Sequence, residues 1–166
     1  MIESKLRQRK LVLPEAPRPI ASYVPGVRHQ DLIYTAGMLP LGPDGQLRHL
    51  GRVGTELSLE EGQEAARWCV LNGLAVIKEM IGSLDRIQQI IKVNGAVSSE
   101  AGFHQQSQVI NGASDLLVEL FGEAGRHARS VVGAVALPLN AAVMVELLVA
   151  VAPMSKVFNS ESKEGI

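Results

Sequence analysis

Arg129 is where the chemistry of this chain begins. It stands immediately before the apolar run Ser130–Leu137, inside the stretch AGRHARSVVGAVALPLNAAVMVELLVAVA that covers Ala124–Ala152. A guanidinium at the entrance of a buried strand is costly to desolvate unless an anion or hydrogen-bond acceptors meet it. The other reactive groups explain themselves more plainly. Cys69 falls within a helical run that is apolar on almost every side, so it reads as a small buried hydrophobe rather than a nucleophile. His29, His49, His104 and His127 are scattered without ligand spacing, so no metal site is expected. Asp31, Asp44 and Asp85 sit in turn-like contexts. Glycine-rich phosphate motifs are absent. Ribonuclease chemistry would want paired histidines, or a His/Lys pair, beside a basic groove, and the chain carries neither pattern.

The elements that must hold Arg129 follow from periodicity and punctuation. The apolar runs Ser130–Leu137 and Ala142–Val151, split by Pro138-Leu139-Asn140, predict two strands. Ser58-Leu59-Glu60-Glu61 predicts a capping box opening a long helix to about Ile81, stopped by Gly82. Its apolar residues on almost every side predict packing on more than one face. Ile87–Val97 alternates as a strand, and Ala101–Phe121 recurs at helical spacing. Gly112 inside that second helix costs about 1 kcal/mol against alanine, which implies a close approach to its backbone. Asp31–Gly37 reads as a strand and Ala21–Val27 as short and extended. Gln46–Val53 is expected to return as a further strand or a bulged edge after the turn Gly42-Pro43-Asp44-Gly45. Residues 1–13 suggest a short basic helix ended by Pro14, a surface appendage or an arm that clasps a neighbour.

The order strands, helix, strand, helix, strand, strand predicts an α+β fold: a single mixed sheet with two long helices on one face. The expected layout is an N-terminal extension (1–19), one domain (20–152) and a loose polar tail (153–166). Alternation in Val143–Val151 and Ser130–Val135 leaves both sheet faces largely apolar, whereas two helices cover only one. The uncovered face therefore needs another subunit, which predicts a homo-oligomer with cyclic symmetry. With 166 residues, a net charge of −1, no basic block and one cysteine, the chain reads as a soluble cytoplasmic protein without a nucleic-acid partner. Asn140, Glu146 and Pro138 interrupt the longest apolar stretch, which argues against a membrane span. The charged N-terminus lacks the apolar centre of a signal peptide.

Ile20-Ala21-Ser22-Tyr23-Val24-Pro25-Gly26, Tyr34-Thr35-Ala36-Gly37-Met38-Leu39-Pro40, Ala128-Arg129-Ser130 and Ala136-Leu137-Pro138 carry a resemblance. Together they resemble the reactive-intermediate deaminase family (Rid, or YjgF), formerly labelled endoribonuclease L-PSP and translation initiation inhibitor. The likeness spans about residues 20–152. It implies a chorismate-mutase-like (YjgF-like) fold, a homotrimer with clefts between subunits, and hydrolysis of 2-imino acids and their enamine tautomers to 2-oxo acids and ammonia. By position, Arg129 matches the arginine that grips the substrate carboxylate, and its two parallel donors suit that task in a way lysine cannot copy. Tyr23 and Asn111 match residues at the cleft, and Gly37 a glycine whose backbone lines it. No metal or organic cofactor is implied.

Two departures stand out. The family's deaminases carry a serine at the position of Ala36 and a water-handling glutamate at the position of Met144; alanine and a thioether can do neither task. Glu146 shares the strand face of Met144, about 7 Å on. His127 shares the face of Arg129 if the strand begins that early. Either is a candidate proton carrier, with Glu146 equally suited to an intersubunit salt bridge and His127 to a solvated pre-strand position. The readings that follow are a Rid-like deaminase with an altered substrate or weak activity, a non-catalytic small-carboxylate binding module on the same trimer, and, third, a ribonuclease or translation inhibitor.

Overall fold

The computed structural model describes residues 1–18 and 21–153. Ile20 of the first resembling segment and the tail beyond Pro153 lie outside these. Among the described residues a five-stranded sheet runs in the order β1-β2-β5-β3-β4. Its strands are β1 (Gly26–His29), β2 (Leu32–Thr35), β3 (Ile87–Ser98), β4 (Ala128–Ala134) and β5 (Val143–Val151). Only the β3–β4 pair is parallel, and it is joined through a helix, so the sheet is mixed. The helices are α1 (Ile2–Gln8), α2 (Leu59–Ile81) and α3 (Gln106–Phe121).

The long helix forms where its sequence starts and stops it. Ser58 Oγ accepts from the Glu61 amide at 3.1 Å while Glu61 accepts from the Ser58 amide at 2.8 Å, so two orphan donors are satisfied together. Gly82, at φ +82°, ends it. α2 packs on β5 with one face and on α3 with another. Gly112 is the point of closest approach between the two helices: a Cβ there would collide with the backbone carbonyl of Gln63. Gly95 of β3 makes room for Ile110 of α3 in the same way, with the Ile110 Cδ1 2.7 Å from where a Cβ would stand. Val143, Val145, Leu147, Val149 and Val151 all point into the layer between sheet and helices and are buried. Burial of such side chains is worth roughly 1.5–3 kcal/mol each, which is what holds the helices on the sheet.

The opposite face of the sheet has no helix on it. One row across it reads Val27, Tyr34, Leu148, Lys92, Ala128, and another Met144, Ala96, Val132. Between them lies a polar strip of Glu146, Asn94 and Ser130. Tyr34 is 48% exposed and Val132 61%. The alternation therefore does leave an apolar face uncovered, and the polar strip divides it in two.

Several segments depart from what periodicity suggested. Residues 46–53 make isolated bridges at Leu47, Leu50 and Val53 instead of a strand. His49, Gly51 and Gly54 take positive φ values of 55°, 113° and 101°, which breaks the extended backbone. α3 begins at Gln106, not Ala101, because Gly102 turns the chain at φ +89°. The first edge strand starts only at Gly26. β4 begins at Ala128, so Arg129 lies inside a strand, opposite Val93, rather than before one. α1 is not a free arm: Leu6 is buried against the core, and Lys5 Nζ donates to the Leu120 carbonyl at 2.6 Å, close to the end of α3. An Arg9–Glu119 ion pair adds to that docking. Among the described residues no helix is long and apolar enough to cross a membrane.

Candidate functional site

Two hollows receive the residues of interest, and they lie on opposite sides of the sheet. The first is a recess of about 250 Å³ at the β4 edge, lined by Ser114, Val118, Arg126, His127 and Arg129. Arg129 projects to the helix side of β4, where α3 crosses it. There its Nη1 donates to Asn111 Oδ1 at 2.8 Å and to Ser114 Oγ at 3.1 Å. Asn111 and Ser114 are three residues apart and so share a face of α3. Both protons of Nη1 are used in this way. Among the described residues the Nε and Nη2 protons have no acceptor, so the side-on edge of the guanidinium, the one that takes a carboxylate bidentately, is open.

His127 is half-buried and held at both ring nitrogens. Nδ1 lies 2.6 Å from the Gly125 carbonyl and Nε2 lies 2.9 Å from Ser114 Oγ. A carbonyl only accepts, so Nδ1 carries a proton. Ser114 Oγ thus links the two, hydrogen-bonded to His127 Nε2 and accepting from Arg129. This serine was not singled out by sequence reasoning; the available signal was its spacing of three from Asn111.

The second hollow, of about 620 Å³, opens on the helix-free face. Tyr23, Ala36, Gly37, Met144 and Glu146 line it, together with Tyr34 from β2. A Cβ at Gly37 would sit 2.5 Å from the Met144 sulfur, so any larger residue there would push the Met144 side chain aside. Glu146 accepts from Asn94 Nδ2 at 3.3 Å, across the β5–β3 ladder. Ala36 contributes no polar atom beyond its backbone. The neighbouring Thr35 is structural: its hydroxyl accepts from the Leu147 amide at 2.9 Å.

Within one chain these two groups do not meet. Arg129, Asn111 and His127 stand together on the helix side at the β4 edge, while Tyr23, Ala36, Gly37, Met144 and Glu146 stand together on the open side. β4 and β5 are separated by β3, two strand spacings or roughly 10 Å. A small molecule touching both needs the second group to come from another copy of the chain. Of the remaining candidates, His49 pairs with Glu64 at 3.2 Å. Cys69 is fully buried with its thiol on the Val143 carbonyl at 3.4 Å, and burial pushes the thiol well above its ordinary range. That environment suits the inert core role.

A mixed sheet with two long helices on one face is an α+β protein of chorismate-mutase-like architecture. The model of the family described as "YjgF/chorismate mutase-like, putative endoribonuclease" matches residues 3–151, which takes in all of α1 but its first residue. The chain belongs to this family. It is 40% identical to protein TCP17 of Trypanosoma cruzi over 149 residues, which is 89% of this chain and 92% of that protein. The crystal structure of Atu1372 from Agrobacterium tumefaciens superposes with a TM-score of 0.84 at 39% identity, covering 91% of this chain and 94% of that one. A shorter likeness, 36% over 44 residues, joins it to the 3-aminoacrylate deaminase RutC of Acinetobacter baylyi, covering 26% of this chain and 35% of that protein.

Proposed function

We propose that the chain is a Rid-like deaminase that hydrolyses a small 2-imino or enamine carboxylate to a 2-oxo acid and ammonia. The reaction takes place in a cleft completed between subunits of a homotrimer. The observation that carries this reading is the bracing of Arg129. Asn111 and Ser114 hold one nitrogen of the guanidinium and leave the side-on fork presented to a recess of small-molecule size. The uncovered apolar sheet face supports the assembly, because it offers a second copy a surface rich in Val, Leu and Tyr. The likeness to RutC supports the substrate class, since 3-aminoacrylate is a small carboxylate bearing nitrogen on an unsaturated carbon.

In such a cleft the fork of Arg129 fixes the carboxylate and so the direction of the C=N bond. Tyr23, Gly37 and Met144 of a neighbouring copy form the opposite wall. Positioning of this kind removes much of the entropic cost of bringing water to the imine carbon. The test is the decay of 2-iminobutyrate with purified protein: wild type accelerates it and Arg129→Ala does not. Arg129→Lys keeps the charge but loses the fork, so pyruvate binding weakens about 10- to 100-fold, as expected for one charge-assisted hydrogen bond. Equal rates for wild type and Arg129→Ala sink the proposal.

A second reading is favoured by Ala36 and Met144, which themselves bring no hydroxyl or carboxylate to the second hollow. It makes the protein a non-catalytic small-carboxylate binding module on the same scaffold. Pyruvate or 2-oxobutyrate then raises the melting temperature without any turnover of the imine.

A further inference from the structure

We propose that Lys92 and Glu146 form a reciprocal ion pair between copies of this chain, Lys92 of one copy meeting Glu146 of the next. The pair fixes how a second copy seats on the helix-free sheet face. The inference rests on the assembly in the proposed function and adds to it the contact that sets its register. Both side chains project from that face. Lys92 of β3 lies in the row with Tyr34 and Leu148, and Glu146 of β5 in the polar strip with Asn94 and Ser130. Among the described strand residues of this face, Lys92 is the one lysine or arginine and Glu146 the one carboxylate. His29, at the outer end of β1, is the other group there that can take a positive charge. Neither charge is spent inside the chain. Among the described residues Lys92 has no carboxylate within ion-pairing distance. Glu146 accepts only from Asn94, at 3.3 Å. Lys92 stands opposite Leu148 and Glu146 opposite Asn94, so the two face each other only on the diagonal of the β3–β5 ladder.

These two charges restrict what can cover the face. A wholly apolar cover strips water from an ammonium and a carboxylate and gives neither a partner, which is strongly unfavourable. A cover of single sign satisfies one and repels the other. A second copy of the same face brings a carboxylate for Lys92 and an ammonium for Glu146. In a closed ring each Lys92 meets the Glu146 of the next copy, and every charge is matched when the ring closes. Tyr34 and Leu148 lie on one side of the strip, with Met144, Ala96 and Val132 on the other, so a covered pair is shielded from water and salt. Like charges brought together in such a place are rejected, which gives the interface its specificity. Glu146 is two residues from Met144 on one strand face, so the register set at Glu146 also sets where the wall of Tyr23, Gly37 and Met144 stands against the Arg129 of the adjoining copy. Glu146 is in this sense a positioning residue.

The experiment compares full-length wild type, Lys92→Glu, Glu146→Lys and the double charge swap Lys92→Glu/Glu146→Lys. Light scattering over a dilution series gives the mass, and circular dichroism checks that each variant is folded. Each single variant is expected to need about 10-fold or more protein to assemble, and the double swap to assemble as wild type does. The decisive arm is subunit exchange, read by native mass spectrometry with one partner mass-tagged. Wild type exchanges freely with tagged wild type. It does not exchange with the double swap, because a mixed interface sets Lys92 against a lysine at position 146, or a glutamate at position 92 against Glu146. Free exchange between wild type and the double swap overturns the proposal, since a pair closed within one chain leaves the interface indifferent to the swap. Wild-type assembly in either single variant overturns it too. Should a single variant fail to fold, the exchange result decides alone. A monomeric wild type removes both the pair and the cleft between subunits. Self-sorting in a protein that leaves 2-iminobutyrate decay unchanged removes the deaminase reading and leaves the pair standing.

Discussion

Gly112→Ala sets two known effects against each other, and the structure decides the sign. In an exposed helix interior, replacing glycine by alanine gains about 1 kcal/mol, because alanine loses less backbone freedom on folding. Here the added Cβ runs into the backbone carbonyl of Gln63 on α2, which no rotamer change can relieve. The helices must separate, and overpacking of this kind costs typically 1–3 kcal/mol and more where backbone is the obstacle. We expect a net loss of about 2 kcal/mol, or a fall in melting temperature of about 4–8 °C for a domain of this size. Gly73→Ala is the control. Its Cβ would lie 2.8 Å from the end of the Leu147 side chain, which can turn aside, so its cost is smaller or absent. Urea unfolding and calorimetry at one fixed protein concentration measure both variants, since assembly makes stability concentration-dependent. Asn111 and Ser114 ride on the helix that is displaced, so pyruvate affinity in Gly112→Ala falls with the stability. Should Gly112→Ala match or exceed wild-type stability, the close approach of α2 and α3 is wrong.

Two further outcomes test the face and the cap. Leu148→Asp puts a charge in the middle of the uncovered apolar row, beside Tyr34, and is expected to shift the assembly to monomers by light scattering; an unchanged mass would move the interface elsewhere. The Ser58 backbone amide, donating to the Glu61 carboxylate, is the first cause that holds this carboxyl below its ordinary value, with the Ser58 side chain a lesser one. A group with a lowered folded pKa adds stability above its unfolded value that is lost as pH falls through the folded one. NMR titration is therefore expected to place the Glu61 midpoint below that of a free glutamate, and Ser58→Ala to raise it and cost about 1 kcal/mol at neutral pH.

Much of the architecture was legible along the chain because it depends on neighbours in sequence. The capping box at Ser58 and Glu61, the stop at Gly82, the inward alternation of Val143 to Val151 and the close approach at Gly112 are all local or periodic signals, and all are met in the fold. The misread pieces are those where positive φ values interrupt a plausible pattern, as at His49 and Gly51 in the expected strand, Gly54 just beyond it and Gly102 before α3.

By itself, then, the sequence determined that Arg129 would need partners, since a guanidinium at the entrance of an apolar run needs acceptors; the strand itself proves to be an edge strand with no fully buried residue. Only the tertiary structure decided which ones. Asn111 and Ser114 lie 18 and 15 residues away, and their reach to Nη1 depends on the phase of α3 against the β4 edge. The same contact turned His127 from a solvated histidine into one held at both nitrogens. The separation of Arg129 from Met144 and Glu146 was likewise invisible in the sequence, where 15 and 17 positions divide them. Strand order and side-chain facing put them on opposite sides of one sheet, because β3 is inserted between β4 and β5.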